Sequence, residues 1–562
     1  MTTIPVGDSA LAVSVAGLSN ASTLGRVRAL ATTLRAMAID GVVDVVASPD
    51  RVTVVYDPLR IGSVAALAAA VSACAEAVPD AAVIAPATRH EIPVVYGGPH
   101  GPDLEVVAGT HDLDQDRVVA LHTEPDYLVQ AVGFLPGFAY LAGLPEALAT
   151  PRRATPRVRV PRGSVGIGGG FTGVYPFESA GGWQLIGRSP AWLFDTARAP
   201  PGRLAVGDQV RFRAIEADDV PADAWRPTAP AAIASASGVY GETDTRVIEV
   251  VSPGLWTTIQ DLGRPGHRAD GVPLSGAADS PMLRLANLLV GNPETAAAIE
   301  FTLVAPELRF TRDTVVAVCG ATFSGVPMAR PFWVTAGTVL APGHATRGCR
   351  GVLAVAGGID VAPVLGSRST LVAASLGGFF GRPLAAGDRV PCGPADVDID
   401  GGWSLDPTLM GEKDGEWVLR MIPGEEAADT DGGIWSNAFR ASSRSDRMGL
   451  RLEGPPLLRH PAAAGHGMSV AVLPGTVQVP PDGQPILLLA DAQTIGGYPV
   501  VGHVITADLP WAAQVRPGET VRFQPCTIDE AHTALREREA RIEMVRRGIA
   551  GRIRRPGGRS DP

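Results

Sequence analysis

Glycine and proline supply 66 and 49 of the 562 residues, about a fifth of the chain. Glycine weakens the interior of a helix and proline ends it, so a chain punctuated this often is cut into short segments joined by turns. The expectation is a mainly β protein, with helices few and local. At roughly 150 residues per domain the length predicts three to four domains. A composition of 46 % apolar and 19 % charged residues is that of a globular chain.

The basic residues exclude several chemistries. Of 48 lysines and arginines only Lys413 is a lysine, and it stands in Gly411-Glu412-Lys413-Asp414. A P-loop, a biotinyl-lysine, a pyridoxal Schiff base, a Ser–Lys hydrolase pair and a kinase lysine each need an amine in a defined context, which this loop does not provide. A net charge of −10 argues against a nucleic-acid binder that works by neutralising phosphates. The five cysteines, Cys74, Cys319, Cys349, Cys392 and Cys526, are scattered and form no CxxC pair. Neither a disulfide framework nor a metal site is expected, and a reducing cytoplasm fits. The opening Met1–Asp8 lacks a signal peptide's pattern, and the Ala-rich stretch Ser63–Ala87 is broken by Glu76, Pro79 and Asp80, so no membrane segment is expected.

Organisation follows from the periodicities. Residues 1–85 read as a small α/β domain: Leu24, Val27, Leu30, Leu34 and Met37 form a helical stripe within Asn20–Ala38, Val42–Tyr56 holds two strands around Ser48-Pro49-Asp50, and a second helix covers Val64–Ala77. Residues 86–220 are short strands with one helix over Asp114–Thr123. The Ala/Pro/Ser-rich stretch 221–245 reads as a linker. Residues 246–526 are strand-rich, with apolar runs Val315–Val318, Val352–Ala356 and Ile486–Ala490 suited to central strands. The sequences Gly207-Asp208-Gln209-Val210, Gly387-Asp388-Arg389-Val390 and Gly518-Glu519-Thr520-Val521 echo one another at strand entries. Residues 527–562 begin with the capping box Thr527-x-x-Glu530, continue as a helix with Ile528, Leu535, Ile542 and Val545 on one stripe, and end in a solvated basic tail from Arg546 to Arg559.

Several polar motifs could carry chemistry. The glycine run Ser164–Pro176 could converge backbone amides on an anion, with Thr172 adding a hydroxyl, or could be a strand corner that needs glycine for close packing. Arg188 is either a carboxylate partner or an exposed charge. Asp491 directly follows an apolar strand, where a carboxylate can reach a cleft for acid–base work or magnesium. The pattern Thr494-x-Gly496-Gly497-Tyr498-Pro499 echoes Thr172-Gly173-x-Tyr175-Pro176. The echo implies related modules that face each other or a shared site, or two structural tyrosine–proline corners. Gln478 and Gln493 lie in the same late cluster. Asp261 and Arg264 occupy one turn, as mutual partners or ligand contacts; Ser275 precedes Asp279, a potential helix N-cap. Arg368, Ser369 and Arg447 sit in two further small polar clusters. GxSxG and HExxH are absent, so serine or zinc hydrolase chemistry is not supported.

On these residues the chain resembles a known pair of families. Gly7-Asp8-Ser9-Ala10-Leu11, Tyr56-Asp57-Pro58, Gly101–Glu105, Gly133–Leu141 and Thr172–Pro176 resemble the B component of 5-oxoprolinase, also called the kinase-inhibitor type or allophanate hydrolase subunit 1. Gln260–Arg264, Ala356–Asp360, Leu365–Thr370, Ser445-Asp446-Arg447 and Asp491–Pro499 are similar to the C component of 5-oxoprolinase, or allophanate hydrolase subunit 2. The resemblance implies cyclophilin-like β-barrel domains, in tandem over 246–526, and a fused cytoplasmic B/C component of an ATP-dependent 5-oxoprolinase hydrolase that opens the lactam to glutamate. It implies ATP with Mg2+ and a separate A component of 5-oxoprolinase as partner; a homo-oligomer is left open. Asp491, Asp261 and Arg264 are the implied catalytic residues. Thr172, Tyr175, Arg188, Ser275, Arg368, Ser369, Arg447, Gln478, Gln493, Thr494 and Tyr498 are the implied substrate contacts. The alternatives are a urea-carboxylase-type carboxyltransferase module and a non-catalytic regulator of a histidine kinase. The chain departs from the family pattern at Phe171, where Gln is usual, at Ala180, where Pro is common, and at Val500, where the C component usually has Lys.

Overall fold

The computed structural model describes residues 3–15, 21–78, 88–225, 246–395, 398–399, 403–406, 416–458 and 469–554. The N-terminal unit is a four-stranded antiparallel sheet in the order Thr3–Val6, Ala10–Ser14, Arg51–Tyr56, Val42–Ala47. Helices Ala21–Ala36 and Val64–Ala77 pack on it, the second capped by the Ser63 hydroxyl, which accepts the Ala66 N–H at 3.2 Å. The predicted stripe is buried at Leu24, Val27, Leu30 and Leu34, whereas Met37, just past the helix, is exposed.

Two closed seven-stranded barrels follow, one in each half. The first is ordered Phe171–Val174, Ala139–Ala142, Tyr127–Val132, Gln209–Ala214, Arg89–Tyr96, Gln184–Arg188, Ser164–Gly168. The second is ordered Trp417–Pro423, Val500–Val504, Thr476–Gln478, Ile486–Leu488, Gly449–Glu453, Phe439–Ala441, Thr520–Pro525. In each barrel the first and last strands in sequence pair in parallel, Arg89–Val94 with Gln209–Ala214 and Trp417–Met421 with Val521–Pro525.

Among the described residues, the segment expected to hold tandem barrels therefore closes one. Residues 247–391 instead form a four-stranded sheet (Val339–Leu340, Glu307–Phe310, Val247–Ser252, Arg389–Pro391) and a five-stranded sheet (Trp256–Gln260, Ala298–Thr302, Ala345–Val355, Thr314–Phe323, Pro331–Val334). The apolar runs explain the layering. Val316, Val318, Leu353 and Val355 face the core shared with the four-stranded sheet. Their neighbours Val315, Ala317, Cys319, Val352 and Ala354 face helix Ser280–Leu289. A sheet buried on both faces is a middle layer, and its strands read as continuous apolar runs rather than alternating ones.

The three echoed sequences are one turn used three times. Gly207, Gly387 and Gly518 adopt φ of 90°, 86° and 89°, a region that favours glycine. The acid after each caps the turn: Asp208 accepts the Ala205 N–H at 3.0 Å, Asp388 the Ala385 N–H at 2.7 Å and Glu519 the Arg516 N–H at 2.8 Å.

The C-terminal helix runs Ile528–Ala550 from an intact Thr527/Glu530 capping box. It buries Leu535 and Ile542, while Arg546 pairs with Glu294 and Arg547 with Glu543. Most of the predicted linker, 226–245, and the tail residues Arg555 and Arg559 lie outside the described residues.

The halves meet through buried polar contacts. Asp8 accepts the Thr506 N–H and hydroxyl at 2.9 and 2.8 Å, and His532 Nε2 donates to the Asp8 carbonyl at 2.7 Å. Asp44 accepts the Arg268 N–H at 2.7 Å, while the Arg268 guanidinium donates to the Val472 carbonyl. Burial pulls Arg268 down to about 10, with Asp44 opposing. One apolar cluster joins Val46 of the N-terminal sheet, Ala131 of the first barrel, and Ala471 and Ile495 of the second half.

Candidate functional site: a buried arginine–carboxylate cluster

The turn after strand Trp256–Gln260 brings Asp261 against the loop 367–370. Asp261 Oδ1 accepts the hydroxyls of Ser367 and Ser369 at 2.6 and 2.5 Å and the Gly263 N–H at 2.8 Å; Oδ2 accepts the Arg368 N–H at 2.6 Å. The Asp261 N–H donates to Ser369 Oγ at 2.9 Å. Four donors of its own chain occupy this carboxylate, against the catalytic role implied for Asp261: it positions the turn that carries Arg264.

Arg264 is fully buried, and its Nη2 donates to the Ser369 carbonyl. Its Nε and Nη1 have no partner among the described residues. Burial pulls it below the usual guanidinium range, Asp261 and Asp491 pull it back, and neighbouring Arg447 lowers it. Its N–H donates to the Leu274 carbonyl at 2.8 Å. Ser275, next in the chain, has φ of 55° and donates its N–H to the Ala490 carbonyl at 3.0 Å. The buried Ser275 hydroxyl is also without a partner among the described residues.

Arg447 is the hub of the adjoining ion cluster. Its Nε and Nη2 hold Asp491 at 2.8 and 3.0 Å, its Nη1 donates to Glu300, and Nη2 also reaches the Gly276 carbonyl at 2.6 Å. Burial alone would lower Arg447, but Asp491 and Glu300 more than reverse this and hold it charged. Glu300 accepts the Ala278 N–H at 2.7 Å through its other oxygen. Asp491 is thus one arm of an ion pair in the strong bidentate geometry, not the free carboxylate expected in a cleft. Glu300 escaped the sequence reading, although an acid inside the apolar strand Ala298–Thr302 is a signal of a buried pair.

Thr494 lies on the same late loop, buried, with its hydroxyl unpartnered among the described residues. A Cβ on Gly133 would come within 2.6 Å of the Ile495 Cβ and 3.0 Å of Thr494 Oγ1. The late Tyr–Pro module therefore faces the first barrel, but at the end of strand Tyr127–Val132 rather than at Thr172. Gln478 donates to the Tyr498 carbonyl at 3.3 Å, Gln493 is half-buried, and the Tyr498 side chain is exposed. Arg368 is turned away, its Nε on the Val361 carbonyl at 2.7 Å.

Three implied contacts belong elsewhere. Thr172 faces the interior of the first barrel, accepting from His122 Nε2 at 2.9 Å and donating to the Gly166 carbonyl at 3.0 Å. His122 Nδ1 accepts from the Tyr96 hydroxyl at 2.8 Å, and burial depresses the imidazole to about 3, so it is neutral. Tyr175 packs with Phe138 and Trp183, its phenol pushed up to about 12 by burial. Within the glycine run, close packing holds at Gly168, where a Cβ would meet the Trp183 ring at 2.5 Å, and at Gly173, where it would meet the Ala139 carbonyl at 2.8 Å, while Gly169 and Gly170 have open space beside them. Arg188 donates to the carbonyls of Arg162 and Trp225 at 2.8 and 3.2 Å and stacks over the Trp225 ring. None of the three reaches the Arg264 cluster.

No group of three or more His, Cys, Asp or Glu side chains is placed to hold a metal among the described residues. Asp261 and Asp491 spend their oxygens on donors of this chain, so the cluster does not fit a resident magnesium ion. Two open cavities lie outside the cluster, one of about 680 Å3 beside Arg35, Asp44 and Asp270, the other of about 460 Å3 under the C-terminal helix. No helix among the described residues is long and apolar enough to cross a membrane.

Family comparisons agree with this division. Residues 1–204 match the family described as carboxyltransferase domain, subdomain C and D, and residues 270–525 match carboxyltransferase domain, subdomain A and B. The class is thus a paired carboxyltransferase-domain protein. The C component of 5-oxoprolinase from Escherichia coli (strain K12) is 38 % identical over 309 residues, covering 53 % of this chain and 97 % of the relative. The B component of 5-oxoprolinase from Haemophilus influenzae (strain ATCC 51907 / DSM 11121 / KW20 / Rd) is 58 % identical over 125 residues, covering 22 % of this chain and 59 % of the relative. The crystal structure of TTHA0988 is similar over 92 % of this chain and 99 % of that one, at 34 % identity and a TM-score of 0.77. The chain belongs to the carboxyltransferase-domain family, with a first half like the B component and a second half like the C component in one polypeptide.

Proposed function

We propose that this chain is the B/C component of an ATP-dependent 5-oxoprolinase, a cyclic amide hydrolase that opens 5-oxoproline to L-glutamate together with a separate A component. The observation that carries the reading is the order of the two similarities: a B-like half followed by a C-like half. In this reaction ATP phosphorylates the lactam oxygen and releases ADP, which makes the carbonyl carbon a stronger electrophile. Water adds there, the ring C–N bond breaks with the nitrogen taking a proton, and a second water hydrolyses the resulting acyl phosphate to the free carboxylate and phosphate. The chemistry needs preorganised positive charge where oxyanions develop. Arg264, buried with two nitrogens that have no partner among the described residues, supplies it; the Arg447–Asp491–Glu300 cluster and Asp261 fix its surroundings. No step is assigned to magnesium held by this chain.

The test is reconstitution. The chain mixed with a homologue of the A component is expected to release glutamate and ADP only when both 5-oxoproline and ATP are present, and no turnover in that mixture would count against the reading. The second reading, carboxyl transfer, is favoured by the carboxyltransferase description of both halves. It requires a biotin carrier in trans, because the chain has no Met-Lys-Met, and it predicts transfer from free carboxybiotin.

A further inference from the structure

The cavity of about 460 Å3 under the C-terminal helix falls in the size range of small-molecule sites and is separate from the Arg264 cluster. Helix Ile528–Ala550 forms one wall, helix Ser280–Leu289 another, and the second barrel the third. The family match ends at residue 525, so the wall supplied by Ala534, Arg538, Arg541 and Ile542 lies beyond the matched carboxyltransferase domain.

The lining pairs an apolar body with a cationic edge. Met282, Leu285, Trp511 and Ile542 give the apolar surface. Most of the polar lining is already engaged. Asp508 holds Arg420 at 2.6 and 3.0 Å. Asp279 accepts from the Met282 N–H at 3.3 Å and from Gln514 Nε2 at 2.6 Å. Gln514 Oε1 accepts the N–H groups of Cys349 and Arg350 at 2.9 and 3.0 Å. What remains is mainly donors. Arg538 Nη1 donates to the Thr506 and Ala507 carbonyls at 3.1 and 3.2 Å, but its buried Nε has no partner among the described residues. Arg541 lines the same cavity; the acids around the two arginines are Glu537 and Asp279 in the lining, the latter held by Gln514, and Glu539, which acts on Arg538 but is itself paired with Arg284 at 2.7 Å. A buried N–H without an acceptor is costly, and an oxyanion satisfies it at twice the strength of a neutral acceptor.

We propose that this cavity is a binding site for a small organic anion, an oxyanion on an aliphatic or aromatic frame, with the oxyanion on Arg538 and Arg541 and the frame against Trp511 and Ile542. The site goes beyond the oxoprolinase reading and does not depend on it.

Calorimetric titration of the full chain tests this, with benzoate as the probe and benzyl alcohol and benzylamine as neutral and cationic controls of the same frame. The expected result is saturable benzoate binding, with both controls weaker by about tenfold or more, as fits the loss of one charge-assisted hydrogen bond. Arg538→Gln is expected to weaken benzoate by about tenfold. Ala534→Phe, which fills the cavity from the half-buried face of the helix, is expected to abolish binding with the unfolding temperature unchanged. Should Arg538→Gln fail to fold, Arg541→Gln and Ala534→Phe decide. The proposal is overturned by absence of saturable benzoate binding, by benzylamine or benzyl alcohol binding as tightly, or by a folded Ala534→Phe protein that binds benzoate like the wild type.

Discussion

Arg264 and Arg447 lie in one cluster, yet replacing each by methionine is expected to move stability in different ways. In Arg264→Met the chain loses the bond to the Ser369 carbonyl, worth about 1.5–3 kcal/mol for a charged donor. It also sheds two buried nitrogens with no partner, each a penalty of about 1–3 kcal/mol, and methionine keeps most of the apolar stem. On these magnitudes the net change is expected to run from about 1 kcal/mol of loss to about 4 kcal/mol of gain. In Arg447→Met, Asp491 and Glu300, 7 % and 2 % exposed, are left charged and uncompensated. Breaking a buried pair this way costs about 3–5 kcal/mol. The assay is urea unfolding at pH 7.5, with hydrogen exchange at the Asp491 N–H, bonded to the Arg447 carbonyl at 3.0 Å, as a local reading. Lowering the pH is expected to recover part of the Arg447→Met loss, because buried unpaired carboxylates take up protons. The activity prediction runs the other way: Arg264→Met, still folded, is expected to lose about 100-fold or more of the reconstituted turnover. An Arg264→Met protein as destabilised as Arg447→Met, or one with unchanged turnover, would refute the assignment of Arg264 as a charge held unsatisfied for a ligand.

Three further outcomes are expected. His122, depressed to about 3, is neutral in the folded chain, so its contribution is complete above pH 6.5 and declines as the pH falls from 6.5 towards 3, by roughly 5 kcal/mol at most; His122→Gln should flatten that acid limb of the urea midpoint. Asp279 has the opposite sign: burial raises it to about 6, so stability increases as the pH falls through 6 towards 3.8, by about 3 kcal/mol, and Asp279→Asn should abolish the gain. Gly133→Ala drives a methyl into Ile495 across the contact between the halves and should lower stability by about 1–3 kcal/mol, with Ile495→Ala restoring it in the double variant; a single variant that melts like the wild type would remove the close approach.

Much of the fold was legible in local pattern. The stripe Leu24–Leu34 and the capping box at Thr527 mark their helices, because periodicity and caps are short-range signals. The echoed Gly-Asp/Glu turns were visible for the same reason. Barrel closure was not: Val315–Val318 and Val352–Ala356 are apolar on both faces, and a short apolar run does not say whether a second sheet or a helix covers it. The site was half legible. Asp261, Arg264, Ser369, Arg447 and Asp491 do converge, but through contacts between segments 44 to 108 residues apart, so sequence alone could not separate the unsatisfied Arg264 from the saturated carboxylates around it. Thr172 and Arg188 were misplaced because a hydroxyl or guanidinium looks the same in sequence whether it faces a ligand or, as here, a neighbouring carbonyl.

The contacts between the halves give the fusion a physical consequence. Asp8 with Thr506 and His532, Asp44 with Arg268, and Arg51 with Glu425 at 2.7 Å tie the N-terminal sheet to the C-like half, and Arg268 in turn reaches Val472. Val472 shares an apolar cluster with Ala492, the residue after Asp491. The loop that supplies Asp491 to Arg447 and Thr494 to the first barrel is therefore held from both halves at once. As separate chains, such a loop would be ordered only when the two proteins met; in one polypeptide the second contact is intramolecular and does not depend on protein concentration. A chain cut between the halves should accordingly lose the protection of the Asp491 N–H on dilution, whereas the intact chain should keep it at every concentration. Equal protection in both would mean that the C-like half orders its own cluster and that the fusion contributes nothing to it.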